Sequence, residues 1–323
     1  MEYICVDRGG ERCPCILMEA GQCYMCNMIR SGKCSCASLW QGVCPYTEYL
    51  QRNKKVTKGV VPKNLKIAHI KSYSPTLSVI TLESSLAFGL KCEEMGAFLM
   101  VQWKDWFIPI SVLRVTADFE NQLSYIDLAV NATGPKTIGL LKKAIIGEKV
   151  VVKGPFYSGL INKESFDKTA NTIILAKGIA ATPLVNMKKY LIGSENTLNN
   201  TKNKLMEFKL DRSKLPDDFI TEYLSDFDFE EVDLESESYE VAESIKEAYG
   251  YGFVDEKRPN LLLMVSPYYV EKVLKLTGLN RNRMITPNHS NMCCGEGYCG
   301  SCSYTDKDGI TVRMCKCIGG IYG

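Results

Sequence analysis

Thiols gathered at both ends constrain this chain more than any other feature. Eight cysteines lie before Pro45, six lie after His289, and only Cys92 sits between them. Such thiols are either cross-linked or bound to metal, and the choice follows the redox compartment. The opening "MEYICVDRGG" has no basic start followed by an apolar run, so it does not read as a secretory signal. No stretch reaches the roughly 18 apolar residues of a membrane span. These features predict a reducing, cytoplasmic setting in which thiolates persist and hold metals.

The C-terminal set has a defined spacing. Cys294, Cys299, Cys302 and Cys315 read C-x4-C-x2-C-x12-C, the plant-type ligand pattern of a [2Fe–2S] cluster. Between the first two ligands the backbone must wrap the cluster. Gly295, Gly297 and Gly300 allow that path, because glycine accepts positive φ. The segment "SYTDKDGITVRM" reads as a hairpin turning at Asp308-Gly309, which returns Cys315 to Cys302. The competing reading is a zinc ribbon built from C-x2-C and C-x-C pairs. Cys293 and Cys317 are then spare thiols or alternative ligands.

The N-terminal set is an internal repeat. Cys5, Cys13, Cys15 and Cys23 are followed at the same spacing by Cys26, Cys34, Cys36 and Cys44. A segment this short has few apolar residues to bury, so it needs an inorganic or covalent core. Cys13-Pro14 and Cys44-Pro45 match the Cys-Pro step of bacterial ferredoxins. Eight thiolates suit two [4Fe–4S] clusters, one cluster with a structural zinc, or two zincs. Spacing alone does not say which four share a metal.

Between the ends the texture changes twice. "RNKKVTKGVVPKN" is basic and broken by glycine and proline, as a linker is. From Leu65 to about Val152, short β-rich runs recur at roughly ten-residue spacing, which predicts an antiparallel barrel. One helix, Lys136–Ile146, follows "NATGP", a turn suited to holding a phosphate at a helix start. Beyond Gly154, strands and helices alternate. "TIILAKG" runs into "GIAATPLVNMKKYL", a strand, glycine turn and helix of the nucleotide-binding kind. The acidic stretch from Asp217 to Glu247 reads as a solvated helical face. A hydrophobic content of 46% supports real cores, and a net charge of +2 gives no reason to expect nucleic acid or a membrane as partner. With only His69 and His289, a Cys2His2 finger and multi-histidine catalysis are excluded.

This order of parts resembles the ferredoxin–NADP reductase superfamily. Within it, the chain resembles the electron-transfer subunit of dihydroorotate dehydrogenase and the small subunit of ferredoxin:NADP oxidoreductases. The resemblance runs from about Lys66 to the C-terminus, and the N-terminal cysteine module is an addition. It implies that Pro109, Ile110 and Ser111 lie against a flavin ring. It implies that the turn with Gly134, Lys136 and Thr137 holds the FAD pyrophosphate, and that Gly178 and Pro183 belong to an NAD(P) turn. The sequence also departs from the family. The arginine usual before "PIS" is replaced by Phe107-Ile108, the triple glycine by Ala176-Lys177-Gly178, and a late Cys-Gly-Pro by Val265-Ser266-Pro267.

The expectation is a multidomain α+β and α/β protein. A cysteine-rich module spans 1–50 and a linker 51–64. A β-barrel FAD domain spans 65–157, an α/β NAD(P)-binding-like domain 158–285, and a [2Fe–2S] module 286–323. Its function would be electron transfer between NAD(P)H, FAD and the clusters, towards a partner oxidoreductase subunit or ferredoxin-like carrier. The alternatives are a relay subunit without nicotinamide binding and a zinc-stabilised binding module. The cluster assignment predicts that Cys299→Ser abolishes a reducible paramagnetic resonance signal that Cys317→Ser leaves intact.

Overall fold

The computed structural model describes residues 62–104, 106–192, 205–251, 258–281, 284–290, 292, 301–305 and 311–316. The N-terminal repeat, Cys293, Cys294, Cys299, Cys317 and the Asp308-Gly309 turn lie outside the described residues.

The first unit is a closed antiparallel barrel. Its strands are β1 (Lys63–Ser72), β2 (Leu77–Ser85), β3 (Phe98–Trp103), β4 (Trp106–Asp118), β5 (Leu123–Asn131) and β6 (Lys149–Phe156). They close in the order β1-β2-β5-β4-β3-β6. Alternation along each strand sends every second side chain inward. In β4 the inward set is Ile108, Ile110 and Val112, which pack with Leu82, Leu99, Ile126 and Val152. Phe107, Pro109 and Ser111 take the outward positions. β1 starts at Lys63, inside the stretch read as linker, and pairs with β6 from that residue on.

Two helices sit on the barrel. α1 (Leu86–Cys92) was missed by pattern reading. A Cβ on its Gly89 would lie 1.9 Å from Ser124 Oγ, so the helix can approach β5 only through a glycine. α2 (Pro135–Lys143) begins where the phosphate turn was expected, and its Leu140 joins the barrel core.

The chain then passes through β7 (Leu160–Ile161) into an α/β unit. Its elements are β8 (Thr172–Lys177), α3 (Thr182–Asn186), α4 (Lys188–Leu191), β9 (Met206–Asp211), α5 (Asp217–Tyr223), β10 (Glu230–Glu231), α6 (Ser238–Tyr251), β11 (Asn260–Met264), α7 (Pro267–Thr277) and β12 (Met284–Pro287). The sheet runs β10-β9-β8-β11-β12-β7. It is parallel except for β7, which is antiparallel to β12. The single helix expected from Gly178 to Leu191 is instead a 3-10 turn, Gly178–Ala181, followed by α3 and α4. The break falls at Met187, whose N–H is shared between the carbonyls of Pro183 at 3.1 Å and Leu184 at 3.0 Å. Such sharing tightens the ladder and ends the α-helix. The acidic stretch is only partly a solvated face, because Phe219, Ile220, Val241 and Ile245 within it are buried. A last hairpin pairs β13 (Ser303–Thr305) with β14 (Thr311–Arg313).

A single apolar core joins the two units. Leu77, Val79 and Leu113 of the barrel pack with Ile174, Leu184, Phe219 and Tyr223 of the α/β unit. Beside it, Glu222 of α5 collects charges from the barrel. Its carboxylate accepts from Lys71 Nζ at 2.5 Å and Tyr73 Oη at 2.6 Å. Arg114 lies 3.8 Å from it while bound to Asp127 at 2.8 Å, with its guanidinium 4.6 Å from the Tyr223 ring centre. Burial pushes the Glu222 carboxyl up, but the hydrogen bonds from Lys71 and Tyr73 outweigh it and leave it below the usual glutamate value. Burial pushes Tyr223 up to about 12, so its hydroxyl stays protonated.

Replacing Glu222 by Gln should cost about 2 kcal/mol at neutral pH, a loss of roughly 4–8 °C in Tm. A group with a depressed folded pKa stabilises fully above its unfolded value and ceases to do so as pH falls through the folded one. The gap in Tm between wild type and Glu222→Gln, measured by calorimetry, should therefore close in acid.

Candidate functional site

The outward face of β4 forms one wall of a cleft. Phe98, Pro109 and Ser111 supply the barrel side, Gly159 the exit turn, and Pro287 and Asn288 the end of β12. The backbone fixes this junction. Gly159 N–H donates to Gly96 O at 3.0 Å, and Asn288 N–H donates to Gly159 O at 2.9 Å. A Cβ on Gly159 would fall 2.5 Å from the Gly96 carbonyl oxygen, so only glycine fits there. Asn288 also donates its Nδ2–H to Ser158 O at 2.9 Å, which ties β12 to the barrel exit. Of the three residues expected against a flavin ring, Pro109 and Ser111 line the cleft. Ile110 faces the barrel core and can contribute only its backbone.

The second expected element is the start of α2. Gly134 occupies the N-cap with φ −132° and ψ 164°, a conformation open to any residue. A Cβ built on it would meet nothing within 4 Å, so no contact within the protein demands glycine here. The space beside it is open at a helix N-terminus, where free N–H groups and the helix dipole favour an anion. Thr137 Oγ1 accepts the Gly134 N–H at 3.3 Å and donates to Gly134 O at 3.1 Å, which fixes the turn. Lys136 Nζ lies 4.9 Å from the Trp106 ring centre. Nearby, a Cβ on Gly139 would meet the Trp103 ring at 2.3 Å, and the buried Trp103 indole N–H has no hydrogen-bond partner. The cleft thus offers both apolar and polar groups, and the open helix start is a place suited to an anion.

The third element lies where the order of parallel strands reverses. From β8 the chain moves out to β9 and β10, then returns to place β11 on the other side of β8. Ligands of open α/β sheets bind at the carboxyl ends of such strands. Gly178 stands there with φ +54°, and Pro183 is buried in α3. The charges at this crevice are already committed. Lys177 Nζ is paired with Asp211 and lies 5.3 Å from the Tyr269 ring centre. Asp211 also accepts N–H bonds from Ser213 at 2.9 Å and Leu234 at 3.0 Å. Burial pulls the Lys177 ammonium down, but the Asp211 hydrogen bond and charge win and hold it above the usual lysine value. Arg212, the next cation, pairs with Asp217 and with Glu231. Asp211 and the pairing of Lys177 and Arg212 were not foreseen from the sequence. His289 Nε2–H donates to the Val265 carbonyl at 2.9 Å, and its burial holds the imidazole below the usual value.

The C-terminal hairpin has the expected pairing, Ser303 against Arg313 and Thr305 against Thr311. It brings Cys315 back to Cys302, whose Sγ lies 3.5 Å from the Cys315 N–H, while Met314 N–H donates to Cys302 O at 3.0 Å. Both cysteines are buried. Among the described residues, no three side chains of the metal-binding types converge. The other predicted ligands, Cys5, Cys13, Cys15, Cys23, Cys26, Cys34, Cys36, Cys44, Cys294 and Cys299, lie outside those residues. No described helix is long and apolar enough to cross a membrane.

No family model matches the sequence, and no curated protein matches it. Solved structures do resemble it in fold. An NADH-dependent reduced ferredoxin–NADP oxidoreductase, described in connection with flavin-based electron bifurcation, superposes with a TM-score of 0.55 at 16% identity, covering 80% of this chain and 87% of that one. Phthalate dioxygenase reductase, described as a modular structure for electron transfer from pyridine nucleotides to [2Fe–2S], gives 0.51 at 16% identity over 79% and 95%. A self-sufficient type IV cytochrome P450 monooxygenase gives 0.52 at 13% identity, covering 85% of this chain but 43% of that one. The closed six-stranded barrel followed by a largely parallel α/β sheet is the two-domain fold that this chain shares with these solved reductases.

Proposed function

We propose that this chain is a cytoplasmic iron–sulfur flavoprotein that transfers electrons to a partner oxidoreductase subunit or ferredoxin-like carrier. The observation that carries the reading is that a cleft against the outward face of β4 and an open, glycine-capped helix start at Gly134 occur on the same barrel. Pro109 and Ser111 orient the flavin ring, with Asn288 closing the far side of the cleft. The turn at Gly134, Lys136 and Thr137 holds the pyrophosphate of FAD. When bound, a flavin supplies the exchange between two-electron and one-electron carriers. Cys294, Cys299, Cys302 and Cys315 hold a [2Fe–2S] cluster, and the N-terminal repeat holds one or two [4Fe–4S] clusters or zinc. The segments 1–50, 65–157, 158–285 and 286–323 are the corresponding units.

The crevice at β8 and β11 does not fit a dinucleotide as it stands. A pyrophosphate there meets Lys177 and Arg212 already neutralised, with Glu231 3.5 Å from Arg212 and Glu235 4.0 Å from Lys177. Like charge disfavours its entry. The relay form of the function, fed by a partner rather than by NAD(P)H, follows from that arrangement. The second reading, direct reduction by NAD(P)H, is favoured by the strand–Gly178–helix step at the switch point.

Protein prepared under argon with excess FAD should release flavin on denaturation. Lys136→Glu should weaken FAD binding by on the order of tenfold to hundredfold, and Lys177→Glu should not. Absence of flavin would defeat the proposal. NADH and NADPH should leave the flavin absorbance unbleached in the relay form, and bleaching by either establishes the second reading.

A further inference from the structure

Ile145 and Ile146 follow α2 without entering the barrel core. They stand at the tip of the turn that leads from α2 into β6. The turn is held on both sides by Ile67 of β1. Gly147 N–H donates to Ile67 O at 2.8 Å, and Ile67 N–H donates to Glu148 O at 2.8 Å. Glu148 N–H closes the turn on Ile145 O at 3.1 Å. Gly147 takes φ +90°, which favours glycine. The backbone thus fixes the tip, yet Ile145 is 54% exposed and Ile146 59%. Ile138 is also exposed, two positions before the buried Leu140 and so on the outer side of α2. Lone exposed apolar residues are ordinary. An adjacent pair on a rigid tip marks a contact surface.

Lysines flank the tip. Lys142 and Lys143 precede it, Lys149 follows it, and all three are exposed. Lys149 stands opposite Lys66 in the β1–β6 ladder, where like charges weaken a sheet. Lys66 is bonded to Glu83 at 3.2 Å. Among the described residues, Lys142, Lys143 and Lys149 have no carboxylate partner. The helix dipole accounts for lysines in the last turn of α2, but for neither Lys149 nor the isoleucines. The net charge of +2 conceals this local excess. An apolar tip among lysines complements an anionic lipid surface. The tip enters the headgroup layer, and the lysines lay their stems over it with their ammonium groups at the phosphates. Two branched aliphatic side chains suit a fluid acyl boundary, which needs no matching cavity. Protein partners are met instead by aromatic and arginine anchors. We propose that the Ile145–Ile146 turn is a peripheral membrane-binding site for anionic lipid. The site involves no spanning segment and does not depend on the flavin reading.

The test is co-sedimentation of the full chain with vesicles of phosphatidylcholine alone and of phosphatidylcholine mixed with phosphatidylserine, at low salt. Wild type should sediment with the mixed vesicles and stay in solution with the neutral ones, and added salt should release it. Ile145→Ser with Ile146→Ser should weaken binding by on the order of tenfold to hundredfold. Lys142→Ala with Lys149→Ala should weaken it by on the order of tenfold. All four side chains are exposed, and circular dichroism checks that each variant folds. Ile146→Ser alone serves if the double change does not fold. Wild type that ignores the mixed vesicles overturns the proposal. So does binding that either variant retains in full, which would place the contact elsewhere on the chain. Retention on immobilised polyglutamate without vesicle binding overturns it in favour of an acidic protein.

Discussion

The carboxylate of Glu222, with the apolar seam beside it, determines whether this chain has a site at all. The cleft is built half from the barrel and half from the end of β12, so neither unit makes it alone. Its width depends on how firmly the two units are held. The shared core supplies non-directional attraction and would tolerate sliding. Lys71 and Tyr73 donating to one carboxylate do not, because charge-assisted hydrogen bonds are short and directional. At the far side of the seam, Asn186 donates to the carbonyls of Cys92 and Glu94 at 3.1 and 3.3 Å. Two polar clamps therefore bracket one apolar interface.

The two candidate nucleotide positions differ in charge more than in shape. Along the barrel wall and at the start of α2, cations face aromatic rings: Lys136 over Trp106, Lys153 over Phe107. At the carboxyl ends of the sheet, cations face carboxylates: Lys177 on Asp211, Arg212 on Asp217.

The barrel was legible because its strands alternate and its turns recur, and the α/β order because apolar strands switch to helical periodicity after Gly154. The return of Cys315 to Cys302 was legible from a hairpin pattern between them. What escaped reading was set by tertiary contact. α1, "LAFGLKC", sits in strand-like texture, and its central glycine records a clash with Ser124, which is distant in sequence. The Glu222 cluster joins residues as much as 151 positions apart. Lys153 is buried although it lies on the outer side of β6, a burial that alternation along the strand does not encode. The Lys177–Asp211 pair depends on β8 and β9 ending side by side, which no local pattern encodes.

The six-stranded sheet ends in very short strands at both margins. β7 is two residues, Leu160–Ile161, and both are buried; β10 is two residues, Glu230–Glu231, and both are exposed and acidic. The barrel, being closed, has no margin. Short and charged margins are how natural sheets avoid pairing with other chains. Any protein that met these two units would therefore find little backbone to extend as an added strand. Recognition falls to side chains, which can be exchanged one at a time without altering the scaffold, so the choice of partner can diverge while the fold stays fixed.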